Sequence, residues 1–479
     1  MNTNPGEHRP KPGREQAAAQ ALRGDLTQGP ILRTLMVFAI PTMFANVLQT
    51  LGGTINTIWV GQLLGQDDLA ATVNANMVVF LAIAVVYGFG MATTVKVGQH
   101  FGAKHLHAAR KTFGSGVGFC TAASIVGSTL GWIFAEPLLR LLSTPLSIHD
   151  QALAYLRVIF LSLPFATISM MVSMGLRGVG DAKSPLYAMI ITTVLGIALN
   201  PLLILGWGPI PRLGIAGSAL ANALATLTGA VAMIGWAYWR DLPLRLKGRE
   251  LGFLFPRREE LAFVVGKGLP MGAQMLITSA AAVIMIKFVN LEGMTTTAAY
   301  GAVMQVWNYI QMPAFAMSTA VGAMVAQNIG AGQHDRVGRI TVLGVWANTA
   351  ITLALSVLLL LLDRPLFALF VGNAEETVKV AEHIQLIATS SWVLTGVMMV
   401  VSGTMRAYGV VILPLIIMII SQYVARIGFY YIAYPSLQAD AIWWSYPFSA
   451  LVALVLTWLA YRHGPWRKDA IPAVTVPVA

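Results

Sequence analysis

Residues 176–186 read LRGVGDAKSPL and residues 405–415 read MRAYGVVILPL. The two stretches lie 229 residues apart and keep a Leu/Met-Arg-Gly/Ala opening and a Pro-Leu close in register. Working outward, an apolar run opens at Pro41 and again at Pro270, at the same offset. Gln99-His100-Phe101-Gly102-Ala103 returns as Gln327-Asn328-Ile329-Gly330-Ala331, and Ala70-Ala71 as Ala298-Ala299, each one residue closer, a gap that a loop absorbs. A period this long is not a solenoid's. It marks two copies of a half-protein, which in a membrane protein is the plan of a transporter.

Composition places the chain in a membrane. Hydrophobic residues make up 56% and charged residues only 11%, with a mean hydropathy of +0.69, against about 25% charged in soluble domains. Apolar runs without period-two alternation argue for helices rather than a barrel. Runs and breakers predict twelve spans: 32–61, 70–99, 112–135, 152–176, 185–206, 215–239, 261–290, 297–328, 340–362, 378–405, 411–434 and 441–461. Each exceeds the roughly 20 residues that cross a bilayer. Six spans per half is an even number, so the repeat is parallel, about an axis along the membrane normal. The predicted organisation is a polar, mobile tail (1–30), a six-helix bundle (31–239), a basic connector (240–260), a second bundle (261–462) and a second tail (463–479).

With both termini inside, the inner loops hold fourteen Lys and Arg, six of them in 240–260, and the outer loops four (Arg140, Arg212, Arg364 and Lys379). This is the positive-inside asymmetry, and it accounts for the net charge of +11 without nucleic acid. The connector could also touch anionic lipid. No apolar stretch with a cleavage site precedes the first span, so no signal peptide is expected, and the lone Cys120 allows no disulfide within the chain. These features fit a multi-pass protein of a bacterial inner membrane, expected as a monomer, with membrane lipids and a small organic substrate as its partners.

Span 1 carries Asn46, Gln49, Gly53 and Asn56 at spacings of 3, 4 and 3, one helical face. Burying an amide against lipid costs several kcal/mol unless it is paired, so this face looks into a cavity or bonds a neighbouring helix. Span 8 repeats the theme with Gln305, Asn308 and Gln311 beside Trp307 and Tyr309, span 7 adds Gln274 and Thr278, and span 5 adds Asn200 before Pro201. Ionisable groups inside a membrane are functional by default. Lys96, Arg157, Lys267, Lys287 and Arg426 fall within the spans. Lys96 and Lys267 are expected to snorkel at the inner ends and Arg157 at the outer end, whereas Arg426 is deepest and needs a partner. Among the acids only Glu382, beside His383, falls inside a span. No GxxxxGK[ST] loop, HExxH, paired-cysteine or GxSxG motif occurs, so nucleotide-driven pumping, a bound metal cofactor and hydrolase chemistry are disfavoured. A membrane-embedded enzyme would need a constellation at depth that this census lacks.

The chain resembles the multidrug and toxic compound extrusion (MATE) family across about residues 30–462. The resemblance rests on Asn56-Thr57, Trp59-Val60-Gly61 and Leu69-Ala70-Ala71, on Gly98-Gln99 with Gly102-Ala103, and on Tyr155-Leu156-Arg157. It continues through Arg177-Gly178, Gly180-Asp181-Ala182, Gly214 and Ala216-Gly217. It implies a V-shaped pair of six-helix lobes that exports organic, often cationic, compounds by alternating access, in exchange for H⁺ or Na⁺. One departure stands out. Positions that carry coupling acids in many members match Asn56 and Asn200 here, and in another subgroup Thr278 and Thr395. Amides and hydroxyls can ligate Na⁺ weakly but exchange no proton at neutral pH. Coupling is therefore expected either at Glu382 and His383 or at a weak Na⁺ site near Asn56 and Asn200. A charge-poor cavity also weakens the case for strongly cationic substrates. A related alternative is a flippase for lipid-linked saccharides, with Arg426 and Lys287 holding pyrophosphate, although such proteins often have extra helices.

Overall fold

In a computed structural model that describes residues 24–141, 144, 146–206, 211–372 and 374–464, twelve long helices carry the chain. They are α1 (Ile31–Leu63), α2 (Gln66–Gly102), α3 (Leu106–Ile133), α4 (His149–Gly178), α5 (Lys183–Leu205) and α6 (Gly214–Trp239), then α7 (Arg258–Leu291), α8 (Met294–Gly330), α9 (His334–Leu361), α10 (Glu375–Ala407), α11 (Ile412–Leu437) and α12 (Asp440–His463). Lipid offers no hydrogen bonds, so a chain this apolar satisfies its backbone inside helices. All twelve predicted spans are present, most of them longer at both ends. At 37 residues, α2 and α8 run about 55 Å, well beyond the roughly 30 Å of hydrocarbon. Short helices Ala135–Leu141 and Asp363–Val371 follow α3 and α9 at matching places.

The repeat is visible in detail. The turns after α4 and α10 place Gly180 (φ +83) and Gly409 (φ +78) in the left-handed region, where a side chain would be strained. These are the central glycines of the two stretches that open the sequence reading. Both described ends of the chain and the connector lie on one face, called here the terminus face.

The lobes meet on the half of the molecule next to that face. Gly102 packs on the Gln327 carbonyl and Gly330 on the Gln99 carbonyl, a reciprocal crossing of α2 and α8. Gly88 of α2 packs on the Gly268 carbonyl and Gly272 of α7. Leu35, Phe38 and Ala39 of α1 join Met317, Ala320, Val321 and Met324 of α8 in one apolar cluster. Small residues let the backbones approach this closely. On α1 the inter-lobe contact reaches Thr50, whose hydroxyl touches the Met312 sulfur at 4.0 Å. Beyond it Gly53, Thr54 and Thr57 are exposed, as are Gly301, Gln305 and Asn308 opposite. The lobes are thus sealed at the terminus face and parted at the other. The span of α8, held from several sides, is 72% buried, that of α11 only 17%.

Two predicted boundaries change. Residues 24–30, assigned to the mobile tail, form a strap across the seal. The Leu26 N–H donates to Gln327 Oε1 (2.9 Å), Asn328 Nδ2 donates to the Leu26 carbonyl (3.2 Å), and Arg336 Nη2 donates to the Gly29 carbonyl (2.7 Å). Residues 1–23 and 465–479 of the predicted tails lie outside the described residues. The connector gives Arg258–Glu260 to α7, and its 3₁₀ helix Gly248–Leu254 docks on α3, with Phe253 buried against Gly114. Arg110 anchors it by donating to Glu250 Oε1 (2.9 Å) and the Pro243 carbonyl (2.7 Å). Burial alone would raise the Glu250 pKa. The hydrogen bonds from Arg110 and the Lys247 N–H, with the nearby positive charge, outweigh it and hold the carboxyl below its ordinary value.

Candidate functional site

On α1, Asn46, Thr50, Gly53 and Thr57 follow one another at helical spacing on the stripe that touches Met312. Past that contact the stripe faces the space between the lobes. Asn46 is half-buried and Gln49 exposed, but Asn56 turns into its own lobe and is 8% exposed. Its Oδ1 accepts from Ser218 Oγ (2.9 Å) and Asn222 Nδ2 (3.1 Å) of α6. The Tyr155 hydroxyl of α4 lies beside it and donates to Asn76 Oδ1 of α2 (3.4 Å). Asn200 is 1% exposed. Its amide donates to the Gly196 carbonyl (3.0 Å), leaving Oδ1 without a partner among the described residues. Asn56 and Asn200 thus share a lobe but bond different partners. The buried Asn200 oxygen is a lone acceptor of a kind that suits a cation. Ser218, Asn222 and Tyr155 were missed from sequence, although Ser218 and Asn222 stand out at i, i+4 in an alanine-rich helix.

The second lobe is built differently. A turn of π-helix, Ile420–Ala425, interrupts α11; such turns often mark functional positions. From it Tyr423 donates to the Ile277 carbonyl (2.8 Å) and Gln422 Nε2 to Thr278 Oγ1 (3.4 Å). Thr278 itself donates to the Gln274 carbonyl (2.9 Å), and Gln274 Nε2 donates to the Val411 carbonyl (3.3 Å). Arg426 finds the partner that its depth demanded: Nε donates to Ser449 Oγ (3.0 Å), and the guanidinium lies 4.4 Å from the Tyr446 ring centre. Tyr446 in turn meets the Tyr300 hydroxyl at 2.7 Å. Gln305 and Asn308 are exposed, and Trp307 packs on Trp392. Thr395 is half-buried on α10. Lys287 is exposed, and no hydrogen bond or ion pair joins it to the Arg426 cluster among the described residues.

Glu382 and His383 sit two turns into α10, away from the seal. His383 Nε2 is 2.8 Å from Asp440 Oδ1 at the exposed start of α12. Glu382 is half-buried, with no ion pair among the described residues.

The charge census needs three corrections. Glu260, assigned to the connector, is a buried acid of α7, 6% exposed. Lys96 does not snorkel: it crosses the lobe boundary to Glu260 at 2.9 Å, joined by Thr112 Oγ1 at 2.8 Å and Lys111 Nζ at 3.8 Å. Arg177 and Arg406, counted with the loops, belong to the last turns of α4 and α10. Arg157 stays at its helix end, stacked on Trp132 at 5.2 Å.

The MatE family model matches residues 41–202 and 270–432, one match per lobe. The probable multidrug resistance protein YoeA of Bacillus subtilis is 32% identical over 443 residues, covering 92% of this chain and 95% of that protein. The probable multidrug resistance protein YpnP of the same organism is 31% identical over 446 residues, covering 92% and 97%. A solved structure described as the outward-facing conformation of a multidrug resistance MATE family transporter of the MOP superfamily superposes with a TM-score of 0.83. It covers 91% of this chain and 96% of that one at 22% identity, a likeness of fold.

Proposed function

The chain belongs to the MatE family, and from that premise we propose that it is a secondary exporter of organic compounds, driven by an H⁺ or Na⁺ gradient through alternating access. The observation that carries this reading is the asymmetry of the seal: lobes locked by the strap, the glycine crossings and Lys96–Glu260 at one face, and parted over polar α1 and α8 residues at the other. Two rigid repeats around one cleft are what rocking between two openings requires. The basic loops support a cytoplasmic terminus face in a bacterial cell, and on that reading the state described faces outward. The substrate would touch Gln49, Gln305 and Asn308 on entry, with Asn46, Gln274, Thr278 and Thr395 behind them. The coupling ion is either Na⁺ at Asn200 and Asn56 or H⁺ at Glu382 and His383; the buried, unpartnered Asn200 oxygen supports the former. The test is dye efflux from vesicles holding the purified protein, with proton and sodium gradients imposed separately. Gradient-dependent efflux that Asn200→Leu abolishes only under sodium supports the reading; no movement under either gradient overturns it.

A further inference from the structure

The arginines within the spans that have no carboxylate partner among the described residues include Arg177, Arg406 and Arg426, besides Arg157 on Trp132. Arg426 is engaged by Ser449 and Tyr446. Arg177 and Arg406 are different. They are equivalent in the repeat, and both come within electrostatic reach of one residue, Tyr87 of α2. Two repeat-related groups that converge on a single side chain must straddle the axis relating the lobes, which is the path of any solute passing between them. Arg406 lines a cavity of about 10 Å³ with Met91, Thr94, Ser318, Gly322 and Gly403, drawn from α2, α8 and α10. Its Nη2 donates to Ser318 Oγ (2.9 Å), while its Nε is buried without a partner. The residue equivalent to Ser318 in the first lobe is Gly90, so Arg177 has no such hydroxyl. The Arg177 side chain makes no hydrogen bond or ion pair among the described residues, and its Nε too is buried and unpartnered. The acid on this part of the seal, Glu260, is held by Lys96 and Thr112.

Two guanidiniums with spare donors and no counter-charge are costly in a low-dielectric interior, and their planar forks match carboxylate and phosphate. We propose that Arg177 and Arg406 form an anion site on the inter-lobe axis, and that the compounds this protein exports carry a carboxylate or phosphate group held there. This rests on the export reading above and gives it a substrate class. Tyr87 supplies a hydroxyl between the two arms, and Ser318 fixes the Arg406 arm. A cavity of about 10 Å³ holds no more than a water in the sealed state, so the anionic group is taken up as the lobes part at this seal.

The full-length protein in phosphatidylcholine nanodiscs tests this with two dyes of one xanthene ring system, anionic fluorescein and cationic rhodamine 6G, by fluorescence anisotropy. Fluorescein is expected to bind at least about tenfold tighter. Arg177→Gln and Arg406→Gln should each cut that preference by about tenfold, the weight of a charge-assisted contact. If the glutamine variants fail to fold, Arg177→Lys and Arg406→Lys keep the charge but lose the fork, and each should weaken fluorescein binding measurably. Adding phosphatidylglycerol separates the two sources of anion: competition assigns the site to a lipid headgroup, and none assigns it to a soluble organic anion. Rhodamine 6G binding as tightly as fluorescein, or a preference that survives the substitutions, overturns the proposal. In vesicles, export of rhodamine 6G without fluorescein binding would sink the anion site and leave export standing. Fluorescein bound in discs but moved under neither gradient would do the reverse.

Discussion

Replacing Glu260 by Gln should open the terminus face. Glu260 belongs to the second lobe, its partners Lys96, Lys111 and Thr112 to the first, so the cluster exists only while the lobes are sealed there. Gln keeps the hydrogen bond to Thr112 but leaves Lys96 without a counter-charge, facing a Lys111 that keeps only Glu259 at 3.9 Å. Removing one partner of a buried pair costs about 3–5 kcal/mol. The lysine side chains keep 19% and 22% of their surface, and that residual hydration reduces the cost to about 2 kcal/mol. The other state, in which the lysines meet water, escapes it. At about 1.4 kcal/mol per tenfold, the sealed-to-open ratio falls roughly 30-fold. Spin labels at Gln62 and Met294, at the far ends of α1 and α8, would read this by pulsed dipolar spectroscopy, with Cys120 replaced by Ser. The Glu260→Gln variant should gain a population of shorter distances, Lys96→Met should mimic it, and the double variant should add little more. An unchanged distance distribution in a folded Glu260→Gln protein would refute the latch.

Gly88→Val places a branched side chain against the Gly268 carbonyl; overpacking of this kind costs about 1–3 kcal/mol, and the same labels should show the sealed state depleted. Asn56→Leu leaves the Ser218 and Asn222 donors without their acceptor, which should destabilise the first lobe by about 2 kcal/mol, read as a lower midpoint of thermal unfolding in detergent. The depressed Glu250 carboxyl makes connector docking pH-dependent: its contribution, under about 1 kcal/mol at this half-exposed site, is complete above the ordinary value of 4.5 and is lost as pH falls through the lower folded value. Hydrogen-exchange protection across residues 243–255, taken relative to the intrinsic rate at each pH, should therefore fall in acid. A profile that Glu250→Gln leaves unaltered would rule this group out.

The helices were legible because lipid imposes one rule on every span: a long apolar run closed by Gly, Pro or charge. The repeat was legible because both halves kept the same turn chemistry at Gly180 and Gly409. What sequence hid was the fate of charges near helix ends. Arg177 and Arg406 precede a turn and read as loop residues, yet α4 and α10 continue through them and their long side chains reach back into the seal. Glu260 stands in the run Arg257-Arg258-Glu259-Glu260, which reads as a solvated linker, and only the position of α2 in the other lobe shows which acid is buried. The polar stripe of α1 was recognised, but spacing could not say that Asn56 would turn from the cleft towards Ser218 and Asn222. Residues 24–30 look like tail, because the buried Leu26 is a single apolar residue in a polar stretch.

The repeat fixes where function resides, and the departures from it divide the work. Where the halves agree, they build mechanics: the crossings of Gly102 and Gly330 are one contact made twice, whereas the hydroxyl ties of Thr94 to the Met174 carbonyl (2.8 Å) and of Ser318 to the Met399 carbonyl (2.6 Å) bind α2 and α8 to their neighbours from different positions of the repeat. Where the halves differ, chemistry enters. The first lobe encloses neutral amides around Asn56, the second a π-turn and the Arg426–Tyr446 stack. Two lobes that rock as near-copies need the same hinges, but a gradient-driven cycle needs ion and substrate to bind at different places and compete through the state of the seal. An uncharged nest in one lobe and a positive axis between the lobes meet that condition. A cation in the amide nest and an anion on the axis attract rather than repel, so competition here has to run through the geometry of the seal and not through charge. The glycine crossings and the Lys96–Glu260 latch are therefore where a substitution remote from both sites should uncouple them.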